Sequence, residues 1–384
     1  MRNSGGIYFD NAATSFPKPP AVLAAMVSFQ KKIGASAGRG VYPRAVETGR
    51  ILASGRRALA RLLNVADERR LVFTLNATDG LSLAVKGLPW KRGDRALISP
   101  YEHNSVLRPL HELKKRVGVG IDVMPVDGEG RVIVEKLPAA LRPRTRLVAC
   151  VHASNVTGVI QPVEAVGRFA RSRGIPLLID AAQSAGALPV DVRAFRADFL
   201  AFPGHKGLLG PLGTGALYIR PGRELQTLRE GGTGSVSEVE TQPLFLPDRY
   251  ESGSHNALGI AGLLASATYV RRRGVSEIRR HELELTEHFL EELRRMRAVR
   301  YFGPRAAEDR VAVVSLRVGD RDPLAAARAL WRNDGIMVRA GLHCAPWAHR
   351  HIGTFPHGTV RFSLGPFNTH RHIEKAVAAL QKLI

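Results

Sequence analysis

Cysteine is nearly missing from this chain: two residues, Cys150 and Cys344, in 384. At most one disulfide is possible, and a large chain without an export signal gives no reason to expect it. Long apolar runs are also missing. None approaches the roughly 18 residues that would suggest a membrane span. At the N-terminus only Ile7, Tyr8 and Phe9 are consecutively apolar, so the apolar stretch of a secretory signal is lacking. A cytoplasmic protein with no membrane partner is therefore expected. Acidic residues are scarce beside basic ones, 34 against 56, giving a net charge of +22. That excess invites a nucleic-acid reading. However, the densest clusters, Lys114–Arg116 and Arg271–Arg273, lie in or beside helical patterns without interleaved aromatics. They read as solvated basic surface, and no specific nucleic-acid partner is expected.

What remains has the make-up of a globular protein, 45% hydrophobic and 23% charged. Between residues 70 and 220, short apolar or β-branched runs at 71–74, 96–99, 121–126, 147–152, 177–180, 199–202 and 215–219 alternate with helical patterns at 79–87, 106–117 and 163–173. Such alternation predicts an α/β fold, a largely parallel sheet with helices on both faces. Ligands of such sheets bind beyond the carboxyl ends of the strands. After about residue 265 the pattern changes to a long amphipathic helix at 276–296, a strand at 311–317, a helix at 324–333, a strand at 359–364 and a final helix from about 369. This predicts a large domain over 16–265 and a smaller α+β domain formed by 1–15 with 266–384.

The residues just past the strands carry the chemistry. Asp180 ends IPLLID, where a buried carboxylate needs a cation or strong donors. A protonated pyridine nitrogen would serve, and so would a turn that the Asp caps. Lys206 follows the next strand in the Gly-rich stretch FLAFPGHKGLLGPLGTG, where a confined lysine can lose basicity and become a nucleophile. An acid for a ring nitrogen one strand before a lysine for an aldehyde is what a pyridoxal-phosphate site requires. Ala77 and Thr78, opening a helix after the strand at 71–74, offer a phosphate cradle or a plain helix cap. His103 and Asn155 occupy equivalent places after two other strands. Cys150, inside RLVACVHAS, reads as a buried hydrophobe. Cys344, in RAGLHCAPW with Arg339 nearby, has the surroundings of a thiolate.

In order along the chain, YFDNAATSFPKP, NATDGLSLA, EHNSVLRP, HASNVTG, DAAQSAG, GHKGLLGPLGTG, ESGSHN, RAGLHCAP and VRFSLGPFNT resemble the class V aminotransferase fold family, and within it the cysteine desulfurases. The resemblance covers essentially the whole chain. It implies the pyridoxal-phosphate-dependent transferase fold of type I, with a mostly parallel seven-stranded sheet in the large domain. It also implies pyridoxal 5′-phosphate as cofactor and no metal. Lys206 would be the Schiff-base lysine, Asp180 the partner of the ring nitrogen, and Gln183 and Asn155 neighbours of the phenolic oxygen. His103 would stack on the ring and move protons, while Thr78 and His205, beside Ala77, would touch the phosphate. Ser254 would reach the phosphate of the other subunit in a homodimer. Arg361 would clamp the substrate carboxylate, with Asn155 and Arg339 also at the substrate.

RAGLHCA resembles the RxGxHCA pattern of the short-loop, group II desulfurases, in which the cysteine accepts sulfur as a persulfide. The implied reaction converts L-cysteine to L-alanine, with sulfur passing through Cys344 to an acceptor protein or thiol, as in sulfur mobilisation for iron–sulfur cluster assembly. Selenocysteine lyases share the pattern, so L-selenocysteine is the alternative substrate, and other lyases or aminotransferases of the fold are further alternatives. One departure stands out. The hydroxyl residue usual before GHK is here Pro203.

Overall fold

The computed structural model describes residues 5–384. Residues 1–4 of the expected 1–15 segment lie outside the described residues. The strands in chain order are β1 (Ile7–Tyr8), β2 (Leu71–Thr74), β3 (Arg95–Ile98), β4 (Gly120–Val123), β5 (Thr145–Val151), β6 (Leu177–Asp180), β7 (Phe199–Pro203), β8 (Gly215–Ile219), β9 (Val299–Phe302), β10 (Val313–Val318), β11 (Ile336–Met337), β12 (Arg339–Gly341) and β13 (Thr359–Ser363). Seven of them form the main sheet in the order β2-β8-β7-β6-β5-β3-β4. Only β8 runs against its neighbours. The segments that follow β2, β3, β5, β6 and β7 therefore all leave from one edge of the sheet, which gathers residues far apart in sequence.

The central strands are buried along their length, as continuous apolar runs such as LLID and FLAFP require when helices cover both faces. One face is packed by the helices Ala77–Lys86 and Asn104–Val117. The other carries a core into which Ala257, Ile260 and Leu263 of the helix Ala257–Arg273 also pack. That helix lies against the helices Pro20–Lys32 and Pro43–Leu62 and spans residue 265.

A second core joins Ile7 and Phe9 to residues 285–383. Here β12-β13-β10-β9 form an antiparallel sheet, and β1 pairs in parallel with β11. Asp10 bridges to Ser363, so the chain enters the C-terminal lobe before the large sheet begins. One link between the lobes is Arg310, fully buried, whose guanidinium donates to the carbonyls of Thr157, Phe302, Pro304 and Val313 at 2.6–3.0 Å. No described helix is long and apolar enough to cross a membrane.

Candidate active site

Asp180 is the last residue of one strand, and Lys206 stands past the end of its neighbour. Asp180 closes β6 with its carboxyl buried, and Oδ1 accepts the N–H of Ala182 at 2.8 Å. Burial raises its pKa, opposed by that hydrogen bond and by the charge of Lys206. Lys206 lies three residues beyond β7, and its ammonium has no hydrogen-bond partner among the described residues. Burial brings its pKa down to about 8, with Asp180 pulling the other way. Cys344, Arg361 and Arg339 also act on the lysine through their charge, which places all five groups in one electrostatic neighbourhood.

Gln183, in the turn after β6, donates from Nε2 to the carbonyl of Ala12 at 3.0 Å. His205 has its carbonyl held by Lys18 Nζ at 2.7 Å, while its buried Nδ1 has no partner. Its pKa falls to about 4 through burial and the charges of Lys206 and Lys18. Pro203 ends β7 opposite Gly215, so this strand end supplies neither a hydroxyl nor an N–H.

Ala77 and Thr78 begin the helix Ala77–Lys86, capped by Asn76, whose side chain accepts the N–H of Asp79 at 3.0 Å. Ala77 is buried and Thr78 exposed. The Thr78 hydroxyl meets that of Ser105 at 2.7 Å, and Ser105 lies 2.8 Å from Nδ1 of His103. His103 in turn caps the next helix by accepting the N–H of Ser105 at 3.1 Å. Burial, with the charges of Lys206, Arg361 and Arg108, lowers its pKa to about 4. The imidazole is therefore neutral at pH 7.

Cys344 is exposed and Cys150 buried. His343 and Cys344 have φ of 48° and 57°, left-handed values that residues with a Cβ seldom adopt. The bend is tied on both sides. Asn155 Nδ2 donates to the carbonyl of His343 at 2.7 Å, and the N–H of Asn104 to that of Cys344 at 2.7 Å. The cysteine is thereby fixed to the segments that also carry Asn155 and His103.

Arg361 and Arg339 face each other on β13 and β12. Arg361 is buried, donating to the Asn155 carbonyl at 3.1 Å and to Asp10 Oδ1 at 3.0 Å. Arg339 is exposed and holds Asp10 Oδ2 at 2.8 Å. Asp10 thus spans both arginines. Nothing in the spacing of YFDNAAT pointed to this; the signal was an acidic residue in an otherwise uncharged motif. Glu102, next to His103, was also missed. It is fully buried, accepts from the Ser99 hydroxyl and the Val151 N–H, and has its pKa raised to about 8 by burial.

Ser254 is set apart from this group. It is exposed and lines a cleft with Phe73–Leu75 and Gly213–Gly215, which Lys206 does not touch. Its loop is anchored by Glu251, which binds Arg56 at 2.6 and 2.8 Å and the Phe73 N–H at 2.6 Å.

These residues fit pyridoxal phosphate. A buried carboxyl stands ready for a ring nitrogen, and an unpartnered, half-buried amine for an aldehyde. The unclaimed His205 Nδ1 and the Thr78 hydroxyl at a helix N-terminus suit a phosphate.

Comparison with known proteins gives the family. The profile of the family Aminotransferase class-V matches residues 7–376. A probable cysteine desulfurase of Methanothermobacter thermautotrophicus is 35% identical over 98% of this chain and 94% of its own. The cysteine desulfurase of Klebsiella pneumoniae is 33% identical over 98% and 93%. The apo structure of a cysteine desulfurase from Thermococcus onnurineus superposes with a TM-score of 0.93 at 35% identity, over 99% of this chain and 95% of that one.

Proposed function

This chain belongs to the class V aminotransferases and, among them, to the cysteine desulfurase family, and from that premise we propose that it carries sulfur from L-cysteine on Cys344. The observation that carries the reading is the meeting of Lys206, Cys344 and Arg361 in one charge neighbourhood. Lys206 and Asp180 alone would suit many reactions of the fold; an exposed cysteine fixed beside them selects sulfur transfer.

Pyridoxal phosphate, when bound, supplies an electron sink for negative charge next to the substrate amine. In our reading Asp180 holds its ring nitrogen, Lys206 its aldehyde carbon, and Thr78 and His205 its phosphate, beside Ala77. Gln183 and Asn155 border the phenolic oxygen. Arg361 binds the substrate carboxylate through its planar fork, with Asp10 setting the fork's orientation and Arg339 at the rim. Lys206, with its lowered pKa, is the base for the substrate α-proton.

Because His103 Nδ1 accepts the Ser105 N–H, the neutral imidazole carries its proton on Nε2, and that is the proton the ring passes to the three-carbon fragment in our reading. The Cys344 thiolate attacks the substrate sulfur. The new S–S bond forms as the Cβ–S bond breaks, the electron pair stays with the three-carbon fragment, and that fragment takes up a proton and leaves as alanine. Exposure of Cys344 lets an acceptor protein or thiol collect the sulfur.

A homodimer is part of the proposal, with Ser254 reaching the partner's phosphate. The exposed apolar residues Val41 (94%), Leu244 (78%) and Leu212 (65%) support such a contact. We place the protein in the cytoplasm and its product sulfur in cluster assembly or a similar pathway. Incubating the holoenzyme with L-cysteine should add one sulfur atom to Cys344, seen by mass spectrometry, with alanine released. If C344S releases sulfide from cysteine as fast as the parent, the reading is wrong.

A further inference from the structure

Behind the cysteine loop, three buried nitrogens have no partner: Nδ1 of His343, Nε2 of His349 and Nε of Arg361. None of the three side chains is open to solvent, with exposures of 8%, 0% and 2%. Thr359 and Arg361 lie two residues apart on β13 and so face the same way. His343 Nε2 bonds the Thr359 hydroxyl at 3.1 Å, which sets its ring on the side of the sheet that carries the guanidinium. The His349 ring centroid is 5.5 Å from that of His343, and its Nδ1 is held by the Thr354 hydroxyl at 2.7 Å.

Both imidazoles are pushed toward the neutral form by burial and by the charge of Arg361. A neutral ring keeps one nitrogen as an acceptor, whereas Arg361 Nε–H can only donate. Unsatisfied buried groups of this kind cost about 1–3 kcal/mol each, and a buried water with three polar partners removes the cost.

We propose that His343 and His349 are positioning residues for Arg361. One buried water accepts the guanidinium Nε–H and donates to the free nitrogens of the two rings, fixing the plane of the fork that meets the substrate carboxylate. Each histidine is anchored by a threonine on its far nitrogen, so the rings cannot swing away from the water. This inference rests on the carboxylate role given to Arg361 above.

The test separates the two nitrogens of His349. Asparagine places its amide where Nδ1 was, and glutamine reaches the position of Nε2. His349→Asn keeps the Thr354 contact and removes the group facing Arg361; His349→Gln restores that group. L-alanine binding to the holoenzyme, read by titration calorimetry, reports the carboxylate grip without any sulfur step. H349N should weaken binding about tenfold, the loss expected for one buried hydrogen bond, and H349Q should recover most of it.

Equal binding by H349N and the parent, or an equal loss in both variants, overturns the proposal. So does loss of cofactor or of folding in H349N alone, since His349 would then be a packing residue. A parent protein that binds alanine but leaves Cys344 unmodified by cysteine would refute the desulfurase reading and leave this inference standing.

Discussion

Lys206 is a heavily penalised cation, and the penalty can be measured without cofactor. Burial takes its pKa from 10.5 to about 8. The group's folded pKa is depressed, so between about pH 8 and 10.5 the unfolded chain binds more protons than the folded one. Stability contributed by this group therefore rises with pH across that window and is at its lowest below pH 8. The full shift corresponds to about 3 kcal/mol. Replacing Lys206 by Met keeps the length of the side chain and removes the titration. In urea unfolding of the apoprotein, K206M should be more stable than the parent at pH 7. The advantage should shrink by about 2 kcal/mol on going to pH 9.5, most of the titration lying below that value. Taking the difference between the two proteins cancels groups that titrate alike in both. An advantage that stays constant from pH 7 to 9.5 would show that the lysine is solvated in the fold, and the argument for a base at neutral pH would fail with it.

Other perturbations have equally definite outcomes. In the folded protein iodoacetamide should label Cys344 and spare Cys150, whose thiol is buried and pushed well above its ordinary pKa; in guanidinium both should react, as peptide mass mapping will show. Arg361→Lys should raise KM for cysteine about tenfold or more while the bound cofactor keeps its visible absorbance, because an ammonium cannot hold Asp10 and the Asn155 carbonyl and still present a fork. An unchanged KM would remove Arg361 from the substrate site. Arg310→Met should lower stability to urea by about 3 kcal/mol, since it strips a charged donor from four buried carbonyls that join the lobes. A smaller loss than about 1 kcal/mol would mean that water replaces the guanidinium there.

The large sheet was legible because its strands are short apolar runs broken by polar turns. Six of the seven expected strands of the sheet lie within two residues of their observed bounds, and the seventh, at 121–126, runs three residues past the end of β4. Helices with a polar face were legible too, at Val163–Ser172 and Val275–Arg294 among others. The helix Ala257–Arg273 was not: it is buried on several sides against two other helices and the sheet, so its sequence ALGIAGLLASATYV has no polar stripe to reveal the period. The helix Pro20–Lys32, with only Val22 and Phe29 buried, lacks the opposite contrast for the converse reason, since its exposed face is apolar as well. Lys206, Asp180, His103 and Asn155 could be picked out because each follows a strand, and strand ends of a parallel sheet converge. Asp10, His343 and His349 could not. Their roles depend on which strand of the small lobe lies beside which, and a sequence period does not carry that pairing.

The charges of the site explain why so many histidines gather there without adding to them. Lys206, Arg339 and Arg361 are cations within reach of one another, against Asp10 and an Asp180 whose pKa burial raises. Burial first, and then repulsion by neighbouring cations, brings the pKa of His103, His205 and His349 down to about 4, with that of His343 also well below the ordinary value. These rings thus serve as hydrogen-bonding groups at neutral pH and leave the excess positive charge to the lysine and arginines. Such an excess is costly in a buried cleft by itself. It becomes favourable once a phosphate and a carboxylate enter, and those are the two anions that a pyridoxal-phosphate enzyme acting on an amino acid must hold at the same time.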